Sequence, residues 1–313
     1  MKEAGATHKK RGRIRSVCIF SIFYLVHRIL ITLPLRLSLS IGRCCGHILF
    51  HCFPRRRKIV LKNIQIMKAW AQSKGLSNSS LEGEAADLAK SIFVQNLENF
   101  IFALVMMSKP QAVIKQHLRF KNFEVIEKAA QDNKSLLILF AHKGPWELLT
   151  LTSQLLPDDL LYRKRIGAIY RPLTNPLVDR WIKQIREKNG ARLFSREDGF
   201  LTMVRFLKAG GALFVAVDMR MQQGEPVLLF GKPAASTTIP LKLEKMTGAL
   251  PLFFVLKKIN LRQWEIAFEE LPPVDVHTAE GEVGFLRNMN EFLEHMIADN
   301  PIDYFFFQDR YKQ

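Results

Sequence analysis

The stretch Ser135-Leu-Leu-Ile-Leu-Phe-Ala-His-Lys-Gly-Pro-Trp-Glu147 decides how the rest of the chain is read. Leu136 to Ala141 is an unbroken apolar run between polar neighbours. A run this short, continuous rather than alternating, suits a strand buried on both faces. Gly144-Pro145 breaks it. Trp146-Glu-Leu-Leu-Thr-Leu-Thr-Ser-Gln-Leu-Leu156 then reads as a helix with proline at its first position.

The same alternation continues on the C-terminal side. Ile166-Gly-Ala-Ile-Tyr170 is a second strand, and Asn175-Pro176 starts a helix that stops at Asn189-Gly190. Leu193-Phe194 is a short strand, and residues 198–208 form a helix closed by Gly210-Gly211. Ala212-Leu-Phe-Val-Ala-Val217 is another buried strand. Thr238-Ile-Pro240 opens a helix ending at Gly248, and Leu250-Pro-Leu-Phe-Phe-Val-Leu256 is the next strand. Strands alternating with helices predict an α/β fold, a mixed and mostly parallel sheet flanked by helices. No internal repeat is found.

Three of these strands run into a polar residue: the first into His142, the second into Arg171, the third into Asp218. Open α/β sheets bind ligands at the carboxyl ends of their strands. If the strands are parallel, these three residues share one rim. Glu147 follows His142 by five positions. With Gly144 near the N-cap and Pro145 at the first helical position, Glu147 falls at the third, where a carboxylate points back towards the turn. The helix N-terminus favours its ionised form. His142 with Glu147 is thus a candidate catalytic pair, an imidazole general base with a carboxylate to orient it. The plainer reading of each is a satisfied polar residue and a helix cap. Arg171 and Asp218 read either as a structural ion pair or as a site for an anionic substrate. Lys143 reads as a solvated rim charge and Trp146 as a packing or interfacial aromatic.

The N-terminal part has a different character. Residues 1–68 hold 15 of the 46 Lys/Arg against one acid, Glu3, whereas the remaining residues are nearly balanced. Val17 to Leu33 is largely apolar, interrupted at His27-Arg28. Large apolar side chains among basic ones suit an anionic membrane and argue against a nucleic-acid arm. A spanning helix and an interfacial one are both compatible with the run. No small-x-small site follows it, so a cleaved signal peptide is not expected. Residues 1–15 read as a disordered basic tail, 16–53 as membrane-contacting helices broken near Pro34 and Pro54, 55–70 and 85–107 as helices, and 71–84 as a loop. All four cysteines lie in the first 52 residues, which suits a body facing a reducing compartment. The Cys44–Cys52 cluster has zinc-type ligands without a zinc spacing, so packing near the bilayer is preferred to a metal site.

Other chemistries are not announced. There is no G-x-S-x-G elbow, no G-x-G-x-x-G and no H-E-x-x-H helix. Gly224 to Pro233 superficially looks like a phosphate loop, but its glycines are too far apart and Pro233 stands where Ser/Thr is needed.

Taken together, His142-Lys-Gly-Pro-Trp-Glu147, Tyr170-Arg-Pro-Leu-Thr-Asn-Pro176, Arg186-Glu-Lys-Asn-Gly190, Asp218, Phe230-Gly-Lys-Pro-Ala-Ala235 and Arg55-Arg-Arg-Lys-Ile-Val-Leu-Lys-Asn63 resemble the bacterial lipid A late acyltransferases, within the lysophospholipid acyltransferase group. The resemblance runs from about residue 20 to the end. Two departures are Asp218-Met219, where the family usually has Asp-Gln, and Tyr304-Phe-Phe-Phe-Gln-Asp-Arg310, where it commonly has a tryptophan in the aromatic run.

The resemblance implies an acyltransferase domain over residues 55–313, behind a basic tail at 1–15 and a membrane-anchoring segment at 16–54. It implies a fatty acyl thioester donor, acyl-acyl carrier protein or acyl-CoA, and a phosphorylated glycolipid acceptor. No cofactor or metal is called for, and no nucleic-acid partner. The expected place is the bacterial inner membrane, with the catalytic domain on the cytoplasmic face. In the expected mechanism Glu147 holds the His142 tautomer and His142 takes the acceptor hydroxyl proton. Arg171 stabilises the oxyanion or binds phosphate, and Asp218 holds Arg171. The alternatives are another lipid acceptor (a lysophospholipid, an amino-acid lipid or a mannosylated inositol lipid) or a catalytically silent membrane scaffold.

Overall fold

The computed structural model describes residues 2–76, 81–157, 159–160, 162, 165–188 and 190–312, with side chains from Ile14 onward except Arg196. Three helices come first: α1 (Lys2–Thr32), α2 (Leu35–Cys52) and α3 (Pro54–Ser73). They break at Pro34 and Pro54, as expected. Proline removes a backbone donor and pushes the preceding residue out of helical geometry, seen at Phe53 with φ −117° and ψ 68°. The basic tail differs from expectation: it continues α1 as helix from Lys2.

The apolar part of α1 is exposed along most of its surface, with Ile22 and Leu25 60% exposed or more, while His27 and Leu30 on one side are buried against the body. α4 (Ala85–Met106) is also long and apolar enough to cross a bilayer, though less apolar than Ile14–Thr32, and it is mostly buried, so its hydrophobicity is that of a core helix. α2 lies very close to α4. A Cβ on Gly46 would sit 2.5 Å from the Val94 Cα, so only glycine permits this approach.

The body follows. α5 (Gln111–His117) leads into β1 (Leu118–Lys121), then α6 (Glu124–Gln131) and β2 (Leu136–Phe140). After a 3₁₀ turn at Trp146–Leu151 come α7 (Thr152–Leu155), β3 (Ile166–Ile169), α8 (Pro176–Lys188), β4 (Ala191–Phe194), α9 (Phe200–Lys208) and β5 (Ala212–Ala216). A hairpin of β6 (Glu225–Leu229) and β7 (Lys232–Ser236) precedes α10 (Ile239–Thr247), β8 (Leu250–Asn260), β9 (Gln263–Glu270) and α11 (Ala279–Asp299). The stretch at 224–233, with Gly224 and Gly231, therefore belongs to a β-hairpin and is not a phosphate loop.

The described residues form a seven-stranded sheet in the order β1-β9-β8-β2-β5-β3-β4. β8, β2, β5, β3 and β4 are parallel; β9 turns back antiparallel to β8, and β1 runs parallel to β9. The mostly parallel α/β sheet read from the sequence is the sheet observed. β1, β9 and α11 were not foreseen.

β2 is buried along its whole length. Leu137 and Leu139 face one core with α3, α10 and α11. Leu136, Ile138 and Phe140 face the other, with the C-terminal half of α4 and the 3₁₀ turn. This double burial explains why the strand sequence shows no alternation. Burying one such leucine contributes about 1.5–3 kcal/mol.

Candidate active site

The register of the central strands builds the site. β2 pairs with β5 so that Phe140 lies opposite Ala216. Two residues further along each parallel strand stand His142 and Asp218. The Asp218 carboxylate grips His142 twice: Oδ1 accepts from the ring Nδ1–H at 2.8 Å, and Oδ2 accepts from the backbone N–H at 2.9 Å. The acceptor at Nδ1 assigns the proton to that nitrogen and leaves the Nε2 lone pair for chemistry.

The imidazole is partly accessible, at 19% exposed, while the Asp218 carboxylate is 2% exposed. Trp146 meets the ring edge-on at 4.9 Å between centroids, with Phe140 at 5.8 Å and Phe305 at 6.1 Å. Burial works to lower the His142 pKa. The charge and hydrogen bond of Asp218, joined by the charge of Glu147, outweigh burial and Arg186, so the net direction is upward. Burial works to raise the Asp218 pKa, but His142 and then Arg310 prevail and hold it below its ordinary value.

Glu147 does not take the place expected for it. Its two oxygens are held by Arg186 in the last turn of α8: Nε donates to Oε2 at 2.9 Å and Nη2 to Oε1 at 2.5 Å. A fork-to-fork pair of this kind fixes the carboxylate in direction as well as charge. The local backbone explains the difference. Gly144 is left-handed (φ 65°), Pro145 has φ −79° and ψ 57°, and the following turn is 3₁₀ rather than α, so Glu147 is not at the third position of an α-helix. The orienting carboxylate at Nδ1 is Asp218, and Glu147 contributes charge from nearby.

Arg171 follows β3, the strand beside β5, so all three strand-end residues do share one rim. Arg171 is exposed there. The expected Arg171–Asp218 pairing is not made, because both Asp218 oxygens are turned to His142. Lys143, read as a solvated charge, is instead 7% exposed. Burial lowers its pKa, opposed by the charges of Asp303 and Asp299.

The C-terminal segment clamps the turn that carries His142. Phe305 N–H donates to the His142 carbonyl at 2.9 Å, Gly144 N–H donates to the Asp303 carbonyl at 2.8 Å, and Lys143 bridges Tyr304 antiparallel. Nothing in the local sequence around His142 announces this clamp. Arg186 was legible only as part of a block of residues, not as the partner of Glu147.

The chain matches the sequence profile of the family described as bacterial lipid A biosynthesis acyltransferase over residues 6–313. It is 23% identical over 231 residues to lipid A biosynthesis acyltransferase 2 of Shigella flexneri, covering 71% of each chain. It is 22% identical over 197 residues to the lipid A biosynthesis myristoyltransferase of Escherichia coli (strain K12), covering 61% of this chain and 58% of that one. It is 25% identical over 203 residues to the lipid A biosynthesis acyltransferase of Haemophilus influenzae, covering 61% and 59%.

Proposed function

The chain belongs to the bacterial lipid A biosynthesis acyltransferase family and is an acyltransferase, and from that premise we propose that it moves a fatty acyl chain from an acyl thioester to a hydroxyl of a lipid A precursor at a membrane surface. The observation that carries the proposed mechanism is the double contact between His142 and Asp218 on the open rim of the sheet.

His142 is the general base. Its Nε2 takes the proton of the acceptor hydroxyl as the oxygen attacks the thioester carbonyl. A C–O bond forms, the C–S bond breaks, and the leaving thiolate recovers the proton from the imidazolium. Proton transfer of this kind is typically worth ~10²–10⁴-fold. Asp218 fixes the tautomer and stabilises the imidazolium that forms in between. Glu147, anchored by Arg186, adds a second negative charge near the imidazole, offset in part by the arginine. Arg171, exposed on the rim, meets the acceptor phosphate or the oxyanion.

Acyl carrier protein is the proposed donor, since an acidic carrier suits the basic N-terminal region. α1 supplies the membrane contact: Ile14–Thr32 is long and apolar enough to cross a bilayer and is largely exposed. It also touches the site indirectly. Phe23 and His27 pack edge-on against Trp181 of α8, the helix that carries Arg186. The proposed location is the bacterial inner membrane with the catalytic rim on the cytoplasmic side.

Lipid mass spectrometry of cells lacking the gene, complemented with wild type or His142→Ala, tests the assignment. Wild type is expected to add one acyl chain to lipid A, and His142→Ala is expected to add none. A chain appearing on a different lipid, with lipid A unchanged, would move the acceptor assignment elsewhere; transfer by His142→Ala would sink the mechanism.

A further inference from the structure

α1 meets the rest of the chain along one stripe. Between Ile14 and Leu30 its less exposed residues are Ser16, Phe20, Phe23, His27 and Leu30. Their spacing of four, three, four and three places them on one helix face. Leu30 joins the core beside α4. His27 is anchored there too, its Nε2 3.1 Å from the Ser108 hydroxyl, and Lys109 Nζ donates to the Ile31 carbonyl at 2.9 Å.

The upper part of the stripe meets α8 instead. Asn175 ties the two helices together: its Oδ1 accepts from the Leu177 N–H at 3.0 Å, capping α8, and its Nδ2 donates to the Ser16 carbonyl at 3.0 Å. Further along α8, Trp181 receives Phe23 and His27 edge-on, at 5.4 and 4.8 Å between ring centroids. Edge-on ring pairs fix direction as well as separation.

α8 has little else to hold it. None of its residues is fully buried. Ile185 packs against the core, but Trp181, one turn earlier, joins neither core cluster. Yet the next residue after Ile185 is Arg186, which grips both oxygens of Glu147. Trp146, beside Glu147 on the 3₁₀ turn, meets the His142 ring at 4.9 Å. An unbroken series of contacts therefore runs from α1 through Trp181 and Arg186 to the turn against His142.

We infer that Trp181, clasped by Phe23 and His27 of α1, is a positioning residue for acyl transfer: it holds α8 where Arg186 keeps Trp146 and Glu147 set against His142. The helix proposed to enter the membrane is thereby also part of the frame of the active site. The inference rests on His142 as the base. Its physical ground is the narrow tolerance of such a site, where a displacement of about 1 Å caused from afar costs up to ~10²-fold in rate.

The test is steady-state acyl transfer by the full-length protein in detergent with detergent-dispersed substrates, where anchoring to a bilayer is not limiting. Trp181→Ala and Phe23→Ala are each expected to lower kcat by ~10–10²-fold with KM changed by less than about threefold. Trp181→Phe, which keeps a ring for Phe23 and His27 to meet, should recover part of the loss. Because the effect runs through Arg186, adding Trp181→Ala to Arg186→Gln should lower kcat by less than about threefold further. Trp181→Ala is decisive. A kcat within about threefold of wild type, whether or not the protein sediments less with membranes, would leave α1 an anchor alone and overturn the inference. So would full multiplication of the two losses in the double variant. Thermal midpoints identify variants that do not fold; if Trp181→Ala is one, Phe23→Ala, alone and with Arg186→Gln, decides by the same criteria. His142→Ala is the separate control. Transfer surviving in it defeats the mechanism, whereas its inactivity beside an unimpaired Trp181→Ala defeats only the positioning role.

Discussion

The Asp218 carboxylate holds both the ring and the backbone of His142, with Oδ1 on Nδ1 at 2.8 Å and Oδ2 on the amide nitrogen at 2.9 Å. The second bond ties the carboxylate to the strand end as well as to the side chain, so ring orientation and backbone position are set together. Asp218→Asn keeps the shape of this contact but replaces the ionised acceptor with an amide. A fall in kcat of ~10²–10⁴-fold is expected, with the thermal midpoint shifted far less than activity. Steady-state kinetics beside a thermal melt check it, and an Asp218→Asn enzyme within threefold of wild type would be incompatible with the assigned role.

The same pair sets a pH dependence. His142 must be neutral to accept a proton, and Asp218 raises its pKa above the ordinary histidine value. Wild-type kcat/KM is therefore expected to fall as pH drops through a point above about 6.5. Asp218→Asn should move that point to lower pH. The stability contributions have opposite signs. His142, raised, stabilises fully below its unfolded pKa, and that stability is lost as pH rises through its folded one. Asp218, lowered, stabilises above its unfolded pKa and loses that contribution as pH falls through its folded one. Thermal melts from pH 4 to 9 should thus show the pair contributing most between about pH 4 and 6.5.

Arg186 and Glu147 form a largely buried bidentate pair, with side chains 19% and 15% exposed. Arg186→Gln leaves Glu147 without its fork. A loss of about 1–3 kcal/mol in stability is expected, together with reduced activity. In the double-mutant cycle with Glu147→Gln, a coupling energy of at least ~0.5 kcal/mol is expected; simple additivity would mean that the pair does not act as a unit.

Gly144 carries φ 65°, and a Cβ there would stand 2.8 Å from Trp264 Cζ3. Gly144→Ala therefore combines a left-handed backbone with a clash against a fully buried ring. It should cost about 1–3 kcal/mol and displace the turn that carries His142, lowering kcat more than it raises KM. Denaturant melts and Michaelis–Menten kinetics read the two effects separately.

Glu244 on α10 has a buried Oε2 with no hydrogen-bond partner, and burial pushes its pKa up to about 7. The folded state holds this proton after the unfolded state has lost it, so stability falls as pH rises from about 4.5 to 7. Glu244→Gln should accordingly raise the thermal midpoint at pH 8 and change it little at pH 4.5. Equal shifts at both pH values would count against the assignment.

The strands around His142, Arg171 and Asp218 were legible because a strand buried on both faces is a short unbroken apolar run, and such runs end visibly at the sheet edge. The proline breaks of the N-terminal helices were legible because proline acts locally. α4 and α1 look alike in sequence, and only packing separates a core helix from one that is largely exposed. The rim itself followed from the sequence once the strands were parallel, whereas its pairings did not.

By itself, then, the sequence determined the strand ends, the turn at Gly144-Pro145 and the set of ionisable residues brought to one edge, since these depend on local periodicity and backbone restriction. Which carboxylate meets the imidazole was decided by tertiary structure. Asp218 lies 76 positions from His142 and reaches it only through the β2–β5 register. Glu147, five positions away, is drawn instead to Arg186 on α8. Closeness in sequence favoured the wrong partner because a 3₁₀ turn and a bidentate arginine outweigh chain proximity, and neither can be read from the residues around His142.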